Sequence, residues 1–184
     1  ALPEVVDAVR QAGEAALALD RIRSTSGLRA ALERERFLAR LSARVHSELD
    51  VDEVLDVAVQ ETGSALGVVR CFIRLGDGED SIPIAAQWHR GALSPIESGK
   101  RLAGSNLAAC RRETVAVEDV ENAPELATAG GPEGLLALGT RAVLAVPLVV
   151  FDELIGVLTL HRSEPGRWTD EEISLTESVA REIA

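Results

Sequence analysis

The sequence predicts an α+β domain whose central antiparallel sheet of five to six strands has terminal helices on one face. Loops and short helices are predicted to roof a pocket on the other face. Long stripes of apolar residues at helical spacing open and close the chain, whereas short apolar runs separated by turn residues fill its middle. The hairpin predicted over residues 141–162 is apolar at nearly every position of both strands. Since an antiparallel strand with one wet face alternates instead, both faces of this hairpin need a cover.

The composition fits one domain with additional helix and argues against several classes of function. Of 184 residues, 46% are apolar, and 19 basic against 30 acidic side chains leave a net charge of −11. Nucleic-acid phosphates attract the opposite charge, so no nucleic-acid partner is expected. No apolar stretch approaches the ~18 residues that suggest a membrane span, and no signal peptide is recognisable. We therefore expect a fragment of a larger cytoplasmic protein without membrane insertion.

Two amphipathic helices are predicted before the main domain. Apolar residues recur at helical spacing over residues 2–23 and again over residues 28–49, on either side of the break RSTSG. Their apolar stripes need a partner, which a second copy of the chain would supply as a coiled coil. We expect a parallel homodimer with its seam at or near Leu38, Leu41 and Val45.

The main domain is predicted to begin with a helix and a hairpin. Asp50 is a suitable N-cap residue, with Glu53 three positions later, for a helix over residues 51–66. Strands are predicted over residues 68–75 and 82–89, separated by the turn-rich stretch GDGEDS.

The middle of the domain is predicted to be irregular. A short helix near residues 105–112 precedes a brief strand over residues 114–120, and the Gly/Pro/Ala-rich residues 121–134 are expected to form a mobile lid or loop. Residues 90–140 would thus cover the sheet face that the terminal helices leave open. A sheet face roofed by loops is where a small-molecule pocket forms.

The last predicted element is an amphipathic helix that runs to the end of the sequence. Thr169 and Glu172 have the spacing of a capping box at its start. Trp168, directly before the cap, is expected to anchor this helix to the sheet edge.

Four stretches, in the right order, resemble the GAF domain family, the sensory module of many signalling proteins. LAVPL followed by ELIGVLTLHR resembles the central hairpin of that family, and RWTDEEISLTESVAREIA is similar to its closing helix. RLAGSNLAACRRETVAVEDV resembles its middle segment, and ELDVDEVLDVAVQETGSALGVVRCFIRL its entry helix and first strand. The resemblance implies the fold predicted above and divides the chain into linker or signalling helices over residues 1–37 and a sensory domain over residues 38–184.

The resemblance implies a non-catalytic sensory and dimerisation module of a signal-transduction protein such as a two-component system. It would bind a small molecule, or relay a conformational change, to an output domain in the same chain: a histidine kinase, phosphatase or cyclase. Two alternatives stay open: a domain that only dimerises, with a collapsed pocket, and a thiol-based enzyme that reduces methionine sulfoxide, as one branch of the family does. Cys71 and Cys110 lack the cysteine spacing of that branch.

Ligands known for the family fit this sequence poorly. Cyclic-nucleotide-binding members carry an Asn-Lys…Phe…Asp-Glu signature, and the nearest stretch here, ENAPELATAGG, lacks the Lys, the Phe and the Asp-Glu. Bilin-binding members use a cysteine commonly followed by His, whereas Cys71 precedes Phe72 and Cys110 precedes Arg111. Neither ligand is expected, and the cofactor stays unknown.

Haem is also unexpected, because it needs an axial ligand such as histidine and few histidines are available. His89 follows the second predicted strand near the pocket mouth and is the one histidine of three placed for a ligand role. The alternative is an ordinary histidine at the rim. His46 and His161 are both expected at the surface. No Cys/His spacing typical of a metal site occurs.

Alternation along the first strand assigns its side chains to two faces. Cys71, with Ile73 and Leu75, is expected to face the helices as a small core residue. The other set faces the pocket, where arginine could meet an anionic ligand; the preferred interpretation is that the arginine stems pack under the loop while their heads reach water. The candidate ligand-contacting residues are Arg70, Phe72, Arg74, Trp88, His89, Asn106, Cys110 and Asp119.

Overall fold

The computed structural model describes residues 32, 34–39, 51–76, 83–97 and 99–184, and the chain falls into two units that divide after Arg40. In the first unit, Leu32 and residues 34–39 are helical, in agreement with the predicted second helix. Phe37 is buried there and Leu38 is half-buried. The predicted helix over residues 2–23 and the predicted seam positions Leu41 and Val45 lie outside the described residues, as does the Asp50 cap.

The second unit contains four helices, five strands and two 3-10 turns in its described part. In chain order they are α1 (Val51–Ala65), β1 (Arg70–Leu75), β2 (Ile84–His89), α2 (Ala103–Arg111), β3 (Val115–Val117), the 3-10 turns Val120–Asn122 and Pro124–Ala129, α3 (Glu133–Leu136), β4 (Ala142–Val150), β5 (Glu153–Arg162) and α4 (Asp170–Ile183).

The five strands form one antiparallel sheet in the order β2-β1-β5-β4-β3. The predicted hairpin is therefore the pair β4–β5, which lies inside the sheet rather than at an edge. Most of its residues are buried, and they lie on both faces, which explains why neither strand alternates apolar with polar residues. The predicted α+β class and the antiparallel sheet are confirmed.

Helices α1 and α4 cover one face of the sheet and contact each other. Helix α1 begins with acidic residues and buries Leu55, Ala58 and Val59. The predicted capping box of α4 is present: the Thr169 hydroxyl accepts from the Glu172 backbone N–H at 3.2 Å, and the Glu172 carboxylate accepts from the Thr169 N–H at 2.9 Å.

Trp168 anchors the start of α4 to the sheet edge, as predicted. Its indole Nε1 donates to the backbone oxygen of Val117 on β3 at 3.3 Å, and the Arg162 guanidinium stacks 3.8 Å from the centre of its ring. Arg162 also forms an ion pair with Glu172 inside the capping box.

The opposite face is covered by what we call the roof: residues 91–97, helix α2 and residues 120–140. Leu126, from the predicted lid, and Leu135, directly after it, are fully buried in the core under the roof. Instead of one irregular loop, residues 121–134 form helical turns held by those two leucines. None of the helices among the described residues is long and apolar enough to cross a membrane.

Candidate functional site

A row of three polar side chains crosses the sheet under the roof. Arg70 on β1 lies directly opposite His89 on β2 and His161 on β5. Since directly opposite residues of antiparallel strands point to the same face, all three belong to one face. Arg70 donates a hydrogen bond to the roof, so that face is the roofed one. We call His89, Arg70 and His161 the polar row.

Arg70 is buried and only partly hydrogen-bonded. Its side chain is 5% exposed, and Nη1 donates to the backbone oxygen of Ser94 at 2.6 Å. Its Nε is buried and has no partner. Burial lowers the pKa of Arg70 from its ordinary value, because a charge is costly away from water. The expectation that this guanidinium reaches water is wrong, since residues 91–97 lie over it.

His161 is fully buried, which contradicts the prediction of a surface histidine. Strand β5 continues through it and pairs with β1 on one side and β4 on the other, so the position is central in the sheet. Its Nδ1 lies 2.9 Å from the Thr140 hydroxyl, while Nε2 is buried without a partner. The Phe72 ring packs edge-on at 5.0 Å.

His161 is neutral at physiological pH in this fold. Burial, and secondly the nearby charge of Arg70, lower the pKa of the imidazole to about 3. The sequence did contain a signal for its position, because Val157, Thr159 and His161 alternate on one face of β5, and Val157 and Thr159 are also fully buried.

His89 is half-buried and contributes the third unsatisfied atom of the polar row. Its Nδ1 is buried and has no hydrogen-bond partner. The structure therefore brings the two candidates Arg70 and His89 together and adds His161, for which the sequence predicts a surface position.

The next row along the sheet, formed by Gln87, Phe72 and Thr159, is hydrogen-bonded to the roof. The Gln87 amide bonds both backbone groups of Ile96, accepting from its N–H at 2.7 Å and donating to its oxygen at 3.3 Å. The hydroxyls of Ser105 on α2 and Thr159 on β5 lie 3.0 Å apart. Phe72 stands between Gln87 and Thr159 in this row, fully buried.

Arg74 and Asn106, both candidates, meet under α2. Arg74 is fully buried and donates to the Asn106 side-chain oxygen at 3.3 Å and to the Lys100 backbone oxygen at 3.2 Å. Asn106 in turn donates to the backbone oxygen of Ala129 at 3.5 Å. The prediction that the Arg74 guanidinium reaches water is wrong, because the side chain is fully buried. Burial lowers the pKa of Arg74. The bond from Arg74 to Asn106 holds α2 to the sheet, and the bond from Asn106 to Ala129 holds the second 3-10 turn to α2.

Trp88 does not wall the pocket, which corrects the prediction. It lies opposite Cys71 on the helix face of the sheet, and its ring packs so closely on Gly63 of α1 that a β-carbon there would collide with it. Cys71 is fully buried on that face, as predicted, and burial raises the pKa of its thiol. A deprotonated, reactive thiol is disfavoured at this position.

Neither Asp119 nor Cys110 forms a hydrogen bond or ion pair with the polar row. The Asp119 carboxylate caps the first 3-10 turn, accepting from the Asn122 side chain at 2.7 Å and the Glu121 backbone N–H at 3.2 Å. These bonds, led by that from Asn122, hold its pKa below the ordinary value, with a further contribution from Arg141 at 3.6 Å. Cys110 is an exposed residue of α2.

The polar row supplies hydrogen-bonding nitrogen atoms and no carboxylate. Among residues 51–76, 83–97 and 99–184, as among the few described before them, no group of three or more His, Cys, Asp or Glu side chains could hold a metal ion. Arg70 stands between the two histidines and its cation would repel a metal there. The arrangement is suited to binding a polar group through nitrogen atoms in a water-poor site.

The described part of the second unit is thus an antiparallel sheet with entry and exit helices on one face and a roofed polar row on the other. The model of the GAF domain family matches residues 50–184. The chain belongs to the GAF domain family, whose members are generally non-catalytic sensory modules. No curated protein sequence matches it.

Solved structures of the same fold include a bilin-bound domain and an enzyme in complex with its substrate. The phycoerythrobilin-bound GAF domain of a cyanobacterial phytochrome is similar with a TM-score of 0.68 and 19% identity, covering 82% of this chain and 91% of that one. The GAF domain of an Acinetobacter phosphoenolpyruvate-protein phosphotransferase has a TM-score of 0.65 and 18% identity over 82% and 90%. Free methionine-R-sulfoxide reductase from Neisseria meningitidis, in complex with its substrate, has a TM-score of 0.64 and 20% identity over 84% and 87%. At these identities the likeness concerns the fold alone.

Proposed function

We propose that this chain is the sensory and dimerisation module of a cytoplasmic signal-transduction protein. It binds a small molecule between the sheet and the roof. It passes the resulting conformational change through its terminal helices to an output domain of the same chain.

The observation that carries the proposal is the set of unsatisfied nitrogen atoms in the polar row. Buried polar atoms are almost always hydrogen-bonded, because an unpaired one costs about 1–3 kcal/mol. Arg70 Nε, His89 Nδ1 and His161 Nε2 are all buried and unpaired on one face of three neighbouring strands. A ligand that supplies their partners recovers that cost on binding.

The sheet offers a short route from this site to the helices. His89 belongs to the polar row under the roof, whereas its neighbour Trp88 packs against Gly63 of α1 on the other face. Helix α1 also contacts α4. A ligand that moves the end of β2 would therefore change the packing of α1 against both the sheet and α4.

Native mass spectrometry of the purified chain, with an absorption scan, tests the binding proposal. We expect a colourless protein that carries or accepts a non-covalent small molecule. A Soret band that disappears in His89→Ala would instead identify haem with His89 as its axial ligand. A protein that binds nothing in a metabolite library, by mass or by thermal shift, contradicts the sensory proposal.

The homodimer is tested by light scattering at micromolar concentration on wild type and Leu41→Glu. In the proposed seam the new carboxylate would be buried without a partner, which costs several kcal/mol and should give monomers. Ala39→Glu is the matched control, because Ala39 is exposed and should tolerate the charge. A monomeric wild type refutes the dimer, and a dimeric Leu41→Glu places the seam elsewhere.

The close packing of α2 on the sheet supports the alternative of a domain that only dimerises. A β-carbon on Gly104 would lie 2.6 Å from Val143 Cγ1, so the helix already rests on β4. In this alternative no ligand enters and the wild type dimerises regardless of added metabolites. The same binding screen separates it from the sensory proposal.

The sulfoxide-reductase alternative is tested with free methionine sulfoxide and a thiol titration. The exposed Cys110 should react with a thiol reagent in the native protein, whereas Cys71 should react only after unfolding. We expect no turnover of the sulfoxide. Turnover that is lost in Cys110→Ser would establish the enzyme.

A further inference from the structure

We propose that the polar row binds a small oxyanion, either free or as the carboxylate of a metabolite, at the unpaired edge of Arg70. This inference rests on the proposed sensory function and names the chemical class of its ligand.

The first support is an uncompensated buried charge. Arg70 is 5% exposed, and it forms no ion pair with a carboxylate of the described residues. Its one bonded acceptor is the neutral carbonyl of Ser94. A buried cation without a counter-charge is costly, and an anion at this position would supply the charge and the hydrogen bonds together.

The second support is the geometry of the guanidinium. Nη1 is occupied by Ser94, whereas Nε has no acceptor. The edge of arginine that carries Nε is one of those able to hold a carboxylate through two parallel hydrogen bonds. The bond to Ser94 therefore orients the side chain and leaves a binding edge unoccupied.

The third support is His161, which is fully buried beside Arg70. Its Nδ1 is engaged by Thr140, which leaves Nε2 without a partner. When the Thr140 hydroxyl donates to Nδ1, the proton of the neutral ring lies on Nε2, and this N–H becomes a second donor. Arg70 and His161 then offer donors from adjacent strands, and neighbouring strands of a sheet lie about 5 Å apart.

His89 bounds the row on the other side, and residues 91–97 cover it. This segment lacks helix and strand, and both of its side-chain anchors come from the sheet beneath: Ser94 is held by Arg70, and Ile96 by Gln87. An oxyanion on Arg70 would thus lie against the same segment that Arg70 holds in place. Binding and the position of this part of the roof are then linked through one side chain.

The experiment titrates the full chain with sodium acetate, and separately with inorganic phosphate, against sodium chloride at matched ionic strength. The NMR chemical shifts of the imidazole nitrogens report on His161, and calorimetry measures the affinity for each anion. We expect at least one of the two anions to saturate at millimolar concentration and to move the His161 Nε2 signal. Acetate alone indicates a carboxylate ligand, and phosphate alone a phosphate-type ligand.

Arg70→Gln removes the charge and should lower the affinity for the saturating anion at least about tenfold, the usual effect of losing one charge-assisted hydrogen bond. The matched control is Arg112→Gln. Arg112 also donates Nη1 to a backbone oxygen, that of Asp152 at 2.8 Å, but it is exposed and contacts the β4–β5 turn instead of the polar row. It should bind as wild type does. His161→Gln should also weaken the anion, and it keeps the test decisive if Arg70→Gln does not fold.

Two outcomes overturn the inference. The first is that neither anion saturates a site on the folded wild type. The second is that both Arg70→Gln and His161→Gln bind the anion with wild-type affinity. Failure here is distinguishable from failure of the sensory function. A neutral ligand that moves the His161 signal, with no response to acetate or phosphate, refutes the oxyanion and leaves the sensory proposal intact.

Discussion

The three non-glycine residues with left-handed backbone in the described part of the chain meet at one place. Phe151 and Asp152 form the two-residue turn between β4 and β5 with φ of 49° and 66°, and Arg112, at the end of α2, has φ of 54°. Arg112 donates to the Asp152 backbone oxygen. Two positive φ values match the hairpin turn that favours Asn-Gly, so Phe-Asp is an unfavourable choice there.

Replacing this pair by Asn-Gly should stabilise the protein. Phe151 is 97% exposed, so Phe151→Asn with Asp152→Gly loses no buried surface and relieves about 1 kcal/mol of backbone strain. The measurement is the free energy of unfolding in urea. Val149→Asn, on the strand beside the turn, is the control and should bring no gain. Equal or lower stability of the double variant would contradict the turn geometry.

His161 should make the protein less stable in mild acid. Between pH 6.5 and about 3 the unfolded histidine binds a proton that the folded one does not. Stability therefore falls as pH falls through this window, by up to about 1.4 kcal/mol per pH unit for one proton. Arg70 on β1 is the charge that adds to this shift.

Urea unfolding at several pH values, on wild type and His161→Gln, measures this contribution. The slope of stability against pH should be smaller in the variant. His46→Gln, at a histidine that the sequence analysis assigns to the surface, should leave the slope unchanged. Equal slopes in His161→Gln and wild type would mean that His161 titrates normally in the folded protein.

At the scale of elements, α2 is the piece that determines how much space the roof leaves. It lacks a side-chain cap at its start, and its residues from Ala103 to Ala109 are all buried. Small residues bring it close to the sheet: Gly104 rests on Val143, and Ser105 bonds Thr159. The sheet under α2 is therefore filled, and three unsatisfied nitrogen atoms lie in the neighbouring polar row.

A double-mutant cycle tests this contact. Gly104→Ala should destabilise the protein by about 1–3 kcal/mol through overpacking, despite the better helix propensity of alanine. Combined with Val143→Ala, which makes room, it should cost less than the sum of the single changes by at least about 0.5 kcal/mol. Val149→Ala, at a more exposed position on the same strand, is the control partner and should be additive. Additivity with Val143→Ala would refute the close contact.

At the scale of the whole molecule, the charge of the chain governs which partners it attracts. Its net charge is −11, and the two most buried arginines of the site lie under the roof, unable to contact a nucleic-acid backbone. The acidic surface favours small ligands that reach an internal cation over polyanions that must approach the exterior.

The chain should accordingly not bind a random DNA or RNA duplex at physiological salt. Repulsion between the acidic protein and the phosphates removes the electrostatic term that supports non-specific binding. Fluorescence anisotropy with a labelled duplex measures this, with a basic protein of similar size as the positive control. Sub-micromolar binding would contradict the prediction.

Most elements could be predicted from the sequence because their signals are local. Apolar periodicity and the Thr169–Glu172 box predicted α1 and α4 to within a few residues, and the apolar runs around Phe151 and Asp152 predicted the β4–β5 hairpin. The brief β3 was predicted longer than the Val115–Val117 that pairs, because only its contact with β4 limits it.

The fold class, the order of elements and the two faces of β1 could be predicted from local patterns, since alternation and helical spacing are properties of neighbouring residues. Which side chains share a space depends instead on how the strands and helices pack. Trp88 was assigned to the pocket and His161 to the surface because the register between strands was unknown. The pairing of β2, β1 and β5 reverses both assignments and creates the polar row. The alternation of Val157, Thr159 and His161 indicates the shared face of these side chains. The loss of hydrogen-bond partners arises from long-range contacts, and no local pattern records it.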